Sequence, residues 1–489
     1  MPRDTGPIFG RDTAVDLVRA FMERPVRDGM PQSQDQPVLV FEGAHGSGKT
    51  TLINWLAELS DQEVPYARID FEANRQASVP EVLSGLAFEL SRRCDDYIQL
   101  RFPRLSTGLL VMRQDLALED HASACRQVTV VLEEQRSIDR LRQLLASAAG
   151  DLSSVVAQTT GVPVGKLGEE LPGLALNRLV TWRRTRRVVL GSFYDWYGHR
   201  GRGLTNDALD VLVDLNRWSR NVRNAQPGEA EDDQQRIDEL LWEAFLVDLR
   251  EEFAGARRAD ELSMNCVVLL DNVDTTLGQQ FLRELVSARR QRAVTRGLAP
   301  EPLTVVATSR GALLANVAPA ELLESTGSIG PTGTIENATA PRALGQGHGN
   351  RHGWCRYRLE DLSKDEVGLM VSWLTLRRGN NSRLTAMTCQ LSGGHPMAAR
   401  LLLDAVAERP DRCDELSAVL EQPEPGGNAN RPPVAAGMLQ RLLGDFPRES
   451  TADLVTCSTA RTRDHAVRLA TSDDHLPDGT SLLVGSEAN

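Results

Sequence analysis

One run of residues near the start of the chain has the types and order needed to grip a string of phosphates: Gly43-Ala44-His45-Gly46-Ser47-Gly48-Lys49-Thr50. The spacing is G-x-x-x-x-G-K-[ST], the P-loop pattern. Gly43, Gly46 and Gly48 let the backbone curl, so that N–H groups along the loop point at phosphate oxygens. The Lys49 ammonium reaches the β- and γ-phosphates, and the Thr50 hydroxyl is placed to ligate Mg²⁺. His45, Ser47 and Thr51 belong to the same contact set.

A second group sits far downstream. Asp271-Asn272-Val273-Asp274 ends an apolar run. An aspartate at the carboxyl tip of a parallel strand beside the P-loop is where an α/β nucleotide fold holds Mg²⁺, often through water. Asp271 is the expected metal ligand, and Asp274 is expected to orient the attacking water. Asn272 stands where many such enzymes carry a second acid, and an amide cannot act as a base. Either Asp274 serves or turnover is slow. Arg310 follows Thr308-Ser309 and would read the third phosphate. Lys49, Asp271, Asp274 and Arg310 form the expected catalytic set. The plainer alternatives are a chance glycine turn, a helix-capping aspartate and a surface arginine.

These residues need strands and helices to position them. Val38-Leu39-Val40-Phe41 reads as a buried strand ahead of the loop, and Leu52, Ile53, Leu56 and Leu59 mark a helix behind it. The helix N-terminus adds partial positive charge under the same phosphates. Cys266–Leu270, Leu303–Ala307 and Ala67–Phe71 supply further strands, with a helix from Val79 to Arg93. Upstream, Pro7 to Asp12 precedes an amphipathic helix carrying Val15, Leu17, Val18 and Phe21. Downstream, Leu391 to Pro396 precedes another with Met397, Leu401 and Leu402.

Composition bounds the rest. The chain has 489 residues, 41% hydrophobic and 25% charged, the balance of a globular protein. A net charge of −12 argues against wrapping nucleic acid over the whole surface. No apolar run reaches the ~18 residues of a membrane span, and Met1 to Phe9 has no signal-peptide core. The seven cysteines are scattered without a CxxC pair, so a reducing cytoplasm is the expected setting. Lysine occurs only at Lys49, Lys166 and Lys364, which makes one at a phosphate loop more telling.

In sequence order the pieces resemble the STAND group of signal-transducing P-loop NTPases, related to the AAA+ and Orc/Cdc6-like ATPases. Ile8-Phe9-Gly10-Arg11-Asp12 comes first, then the P-loop, Asp271 to Asp274, Thr308 to Arg310, and Gly394-His395-Pro396. The resemblance implies that the first motif lies by the adenine, which assigns Phe9, Gly10 and Arg11 to the base. It also implies that Pro396, in a helical lid, contacts the nucleotide and reports its state. ATP or ADP with Mg²⁺ are the implied ligands, and self-association in the ATP state is implied as well. Two departures stand out: the long spacing from Lys49 to Asp271, and the lack of a sensor repeat array.

The expected architecture is an α/β parallel-sheet core in two parts, residues 1–94 and 261–345, split by a mostly helical insertion at 95–260. Helical periodicity over 126–148 and 237–253 supports the insertion. It contains the basic stretch Arg183–Arg187 and the aromatics Phe193, Tyr194, Trp196 and Tyr197, a mix that can bind single strands but more often covers a core. Residues 322–352 read as a Gly/Thr/Pro/Asn-rich loop. The lid spans 355–422 and opens with the capping-box spacing Ser363 to Glu366. Residues 434–489 suggest a winged-helix-like unit, cut short after Ala470. The leading expectation is a nucleotide-dependent signalling switch with slow hydrolysis and an unidentified protein partner. The rivals are a DNA-associated Orc/Cdc6-like ATPase, binding through the tail, and a non-catalytic nucleotide-binding scaffold.

Overall fold

Val38, Leu39, Val40 and Phe41 are all fully buried. An apolar run without alternation belongs to a strand covered on both faces, as in parallel sheets. The computed structural model describes residues 7–27, 29–94, 97–134, 196–198, 207–226, 228–255, 262–295, 299–325, 353–374, 381–409, 416–426 and 431–443. Arg183–Arg187, Phe193, Tyr194, residues 135–148, most of the 322–352 segment and the tail from 444 lie outside them.

After a small hairpin of β1 (Val26–Arg27) and β2 (Met30–Pro31), six strands form the sheet: β3 (Val38–Glu42), β4 (Tyr66–Asp70), β5 (Cys266–Asp271), β6 (Leu303–Ser309), β7 (Leu322–Ser325) and β8 (Trp354–Arg358). Their order is β4-β5-β6-β3-β8-β7, and every pairing is parallel. β5 is therefore not next to β3, as the sequence suggested; β6 lies between them. The register still aligns the carboxyl tips, with Glu42 opposite Ser309 and Asp70 opposite Asp271. All four loops thus leave the same edge of the sheet, where open α/β sheets bind ligands.

Helices cover both faces. α1 (Asp12–Met22) and α2 (Lys49–Glu63) pack over Leu39, Phe41, Val267, Leu269 and Val306. On the other face, α3 (Val79–Leu90) meets Val38, Val40, Val268 and Val305. The insertion contributes α4 (Pro103–Met112), α5 (His121–Glu134), α6 (Ala208–Asn224) and α7 (Glu231–Ala254). It shares that second core rather than standing apart. Trp242 of α7 lies 4.5 Å from Phe281 of α8 (Thr276–Thr295). Asp248 of α7 accepts from the backbone N–H of Arg104 and Leu105 and pairs with the Arg104 guanidinium at 3.0 Å. Tyr197 is fully buried, its hydroxyl donating to the Arg104 carbonyl at 2.6 Å, so this aromatic serves the core.

The lid comprises α9 (Lys364–Trp373), α10 (Asn381–Ser392), α11 (Pro396–Glu408) and α12 (Leu416–Leu420). Its capping box forms: Glu366 N–H donates to Ser363 Oγ, and Ser363 N–H donates to the Glu366 carboxylate. Residues 354–358 join the sheet as β8. α13 (Val434–Leu442) buries Val434 and Met438 against Leu402 and Val406 of α11. No helix among the described residues is long and apolar enough to cross a membrane.

Candidate functional site

The loop after β3 curls as the glycine spacing requires. Gly46 (φ 78°) and Gly48 (φ 91°) occupy the left-handed region, where a side chain is strained. Ser47 N–H donates to the Ala44 carbonyl at 3.1 Å, tightening the turn. Gly48 starts α2 with no side chain capping it, leaving first-turn N–H groups for a ligand. The Lys49 ammonium folds back over the loop, donating to the carbonyls of Gly43 at 2.5 Å and Ala44 at 2.8 Å. Gly43 is packed against Ser47 and holds β3 to β6 through the Ser309 carbonyl at 3.2 Å, so it shapes the loop from behind.

Arg11 is buried. One guanidinium nitrogen donates to the Ser47 carbonyl at 2.8 Å and another to the Gly10 carbonyl at 2.9 Å. It fastens the Gly43–Thr50 loop to the N-terminal segment. Burial lowers its pKa, against the opposing pull of Glu366.

On the acidic side, Asp271 is fully buried. Its Oδ1 accepts from the Thr308 hydroxyl at 2.5 Å and from Asn272 N–H at 3.1 Å. Its Oδ2 has no hydrogen-bond partner. Asn272 takes a positive φ of 56°, which asparagine tolerates better than most residues. Its side-chain amide donates to Asp70 Oδ1 at 3.0 Å and so ties the tips of β5 and β4 together.

Asp274 faces the turn that follows β6. Its carboxylate accepts from the Ser309 hydroxyl at 2.7 Å and from the N–H groups of Arg310 at 2.5 Å and Leu313 at 3.1 Å. It shapes the turn that presents Arg310. The Arg310 guanidinium stands 3.5 Å from Glu72.

The N-terminal end of α11 meets the loop directly. Met397 N–H donates to the Gly46 carbonyl at 3.2 Å. His395 Nε2 lies 3.0 Å from the His45 carbonyl, while its Nδ1 accepts from Ala398 N–H at 3.4 Å. The neutral tautomer protonated on Nε2 satisfies both contacts. A Cβ on Gly394, at φ 86°, would come within 2.3 Å of the Leu362 carbonyl, so only glycine allows this turn. Gly10 is enclosed in the same way by Glu366 and Leu362.

Between loop and lid lies a cavity of about 590 Å³, within the ordinary range for small-molecule sites. Phe9, Arg11, His45, Gly46, Ser47, Gly48, Lys49, Thr50, Thr51, Arg310 and Pro396 all line it. Gly10, Gly43, Asp271 and Asp274 are not among the lining residues. Sequence reasoning missed Glu72, Arg400, Asp404 and Arg441, and it did not expect Asn272 in the lining. Glu72 falls just past the Asp70 strand tip, a position that could have been flagged; Arg441 arrives from α13 with no local signal. Among the described residues, one group that could hold a metal ion, His121, Cys125 and Asp210, lies in the insertion and lines no part of this cavity. The chain matches no protein-family model, and no curated protein matches it.

Proposed function

We propose that this chain binds ATP in the cavity between the glycine loop and the lid and works as a nucleotide-dependent switch with slow hydrolysis. The observation that carries the reading is the loop itself. Two left-handed glycines turn its backbone into an uncapped helix N-terminus, with Lys49 and Thr50 lining a cavity of nucleotide size. Such a concavity of N–H groups favours polyphosphate.

The residues also fit a divalent ion. Thr50 lines the cavity, and the buried Asp271 Oδ2 is an acceptor left without a donor, which a cation or its water would satisfy. Thr50 would hold Mg²⁺ directly and Asp271 would hold it through water. When bound, the ion neutralises charge on the β- and γ-phosphate oxygens. Lys49 would leave its loop carbonyls for those same oxygens, and Arg310 faces the cavity from the β6 turn. Phe9, Leu362 and Met370 offer an apolar wall for the base.

The switch part of the reading rests on the two bonds from lid to loop, at Gly46 and His45. A γ-phosphate contacting both bodies would bias a lid that either engages or releases the loop. Limited proteolysis tests this. The linkers around the lid should be cut at different rates with non-hydrolysable ATP and with ADP; identical patterns at saturating nucleotide would remove the switch. The scaffold reading draws on Asn272 alone, and phosphate release under saturating ATP excludes it.

A further inference from the structure

Hydrolysis of a phosphoanhydride needs a group to take a proton from the attacking water. The position after Asp271 offers only the amide of Asn272. The neighbouring carboxylates are committed elsewhere. Asp271 is bonded to Thr308 and is given to the metal in the reading above, Asp274 shapes the Arg310 turn, and Asp70 accepts from Asn272 and from Glu72 N–H. Asp404 does line the cavity, but both its oxygens are held at 2.9 Å by Arg400 on the lid. Among the described residues, that leaves Glu72 as the one carboxylate lining the cavity from the sheet side.

Its setting suits the task. Asp70 fixes the Glu72 backbone at 2.9 Å, beside the Asn272 that shares the same aspartate. The Glu72 side chain is 42% exposed, so water reaches it. One oxygen pairs with Arg75 at 2.7 Å and the other faces Arg310 at 3.5 Å.

We propose that Glu72 is the general base of ATP hydrolysis, the acid having moved one strand along the sheet from the Asn272 position. This rests on the nucleotide reading above. Glu72 takes one proton from water as the water oxygen bonds to the γ-phosphorus. The bond from that phosphorus to the β,γ-bridging oxygen breaks, and its electron pair leaves with ADP. The proton then passes from Glu72 to solvent. Arg310, on the same side, stabilises charge on the γ-oxygens.

The test measures ATP affinity and phosphate release on the full chain. Glu72→Gln should bind ATP within about 3-fold of wild type, yet release phosphate at least ~100-fold more slowly and lose the acidic limb of the pH–rate profile. Glu72→Asp, which keeps the carboxylate, should retain more turnover than Glu72→Gln. Arg217→Ala removes an exposed ion pair with Asp214 that lines no part of the cavity, and should stay within about 3-fold of wild type. Wild-type turnover in Glu72→Gln with ATP bound would overturn the assignment and leave the nucleotide site standing. A wild-type protein that binds ATP without turning it over would also overturn it. Absence of ATP binding in wild type would remove both readings together.

Discussion

At the scale of single residues, the site depends on which polar atoms the fold has already satisfied. Asp271 has one oxygen bonded and one bare, in a fully buried position. That asymmetry separates it from Asp274, whose oxygens are taken by the Ser309 to Leu313 turn. Asp271→Asn should therefore weaken ATP binding about 10- to 100-fold when Mg²⁺ is present, and leave affinity in excess chelator unchanged. Titration with a fluorescent ATP analogue checks both arms; equal losses with and without Mg²⁺ would take Asp271 out of the metal site. That Lys49 and Thr50 would share one cavity was legible because they are consecutive in the pattern. The surroundings of Asp271 and Asp274 were not separable, because spacing alone does not say which carboxylate faces which loop. Glu72 sits just past a strand tip the sequence did show, but its nearness to Asn272 is created by β4 pairing with β5 across a long insertion.

At the scale of elements, the seam between α7 and α8 carries its own titration. Asp238 of α7 is almost wholly buried, and burial pushes its pKa up to about 8, with the nearby Glu284 adding to the effect. Gln234 and Gln280 donate to its two oxygens at 2.7 and 3.4 Å. Glu284 of α8 is likewise raised by burial, with Glu239 a further like charge. An ordinary aspartate titrates near ~3.9, so the folded state holds an extra proton between that value and about 8. The stabilisation is complete below the unfolded value and is lost as pH rises through the folded one. Wild type should melt at a lower temperature at about pH 9 than at about pH 6, and Asp238→Asn should flatten that difference. Equal slopes in the two proteins would contradict the buried-proton account. The strands β3 to β6 and the helix of the 237–253 pattern were readable from apolar runs and helical periodicity. β8 was not, since Trp354-Cys355-Arg356-Tyr357-Arg358 mixes arginine into a short strand and pairs only with distant partners.

At the scale of the molecule, two bodies meet over one loop. The sheet brings the tips of β3, β4, β5 and β6 to one edge, and the lid approaches through His395 and Met397. The α/β class and the split of the core by a helical insertion followed from the order of motifs. The strand order did not, because hydrophobic runs carry no information about which neighbour they choose; nor did α13, whose apolar face finds its partner in α11. The central claim remains that the Gly43–Thr50 loop holds a nucleotide, and Lys49 is the residue whose loss strikes it alone. Chromatography of nucleotide extracted from purified wild type and Lys49→Ala, backed by ATP titration of both, addresses it directly. Wild type should carry or bind adenine nucleotide at micromolar concentrations or below, and the variant should lose it at unchanged folding. Equal nucleotide content and affinity in the two would contradict the account.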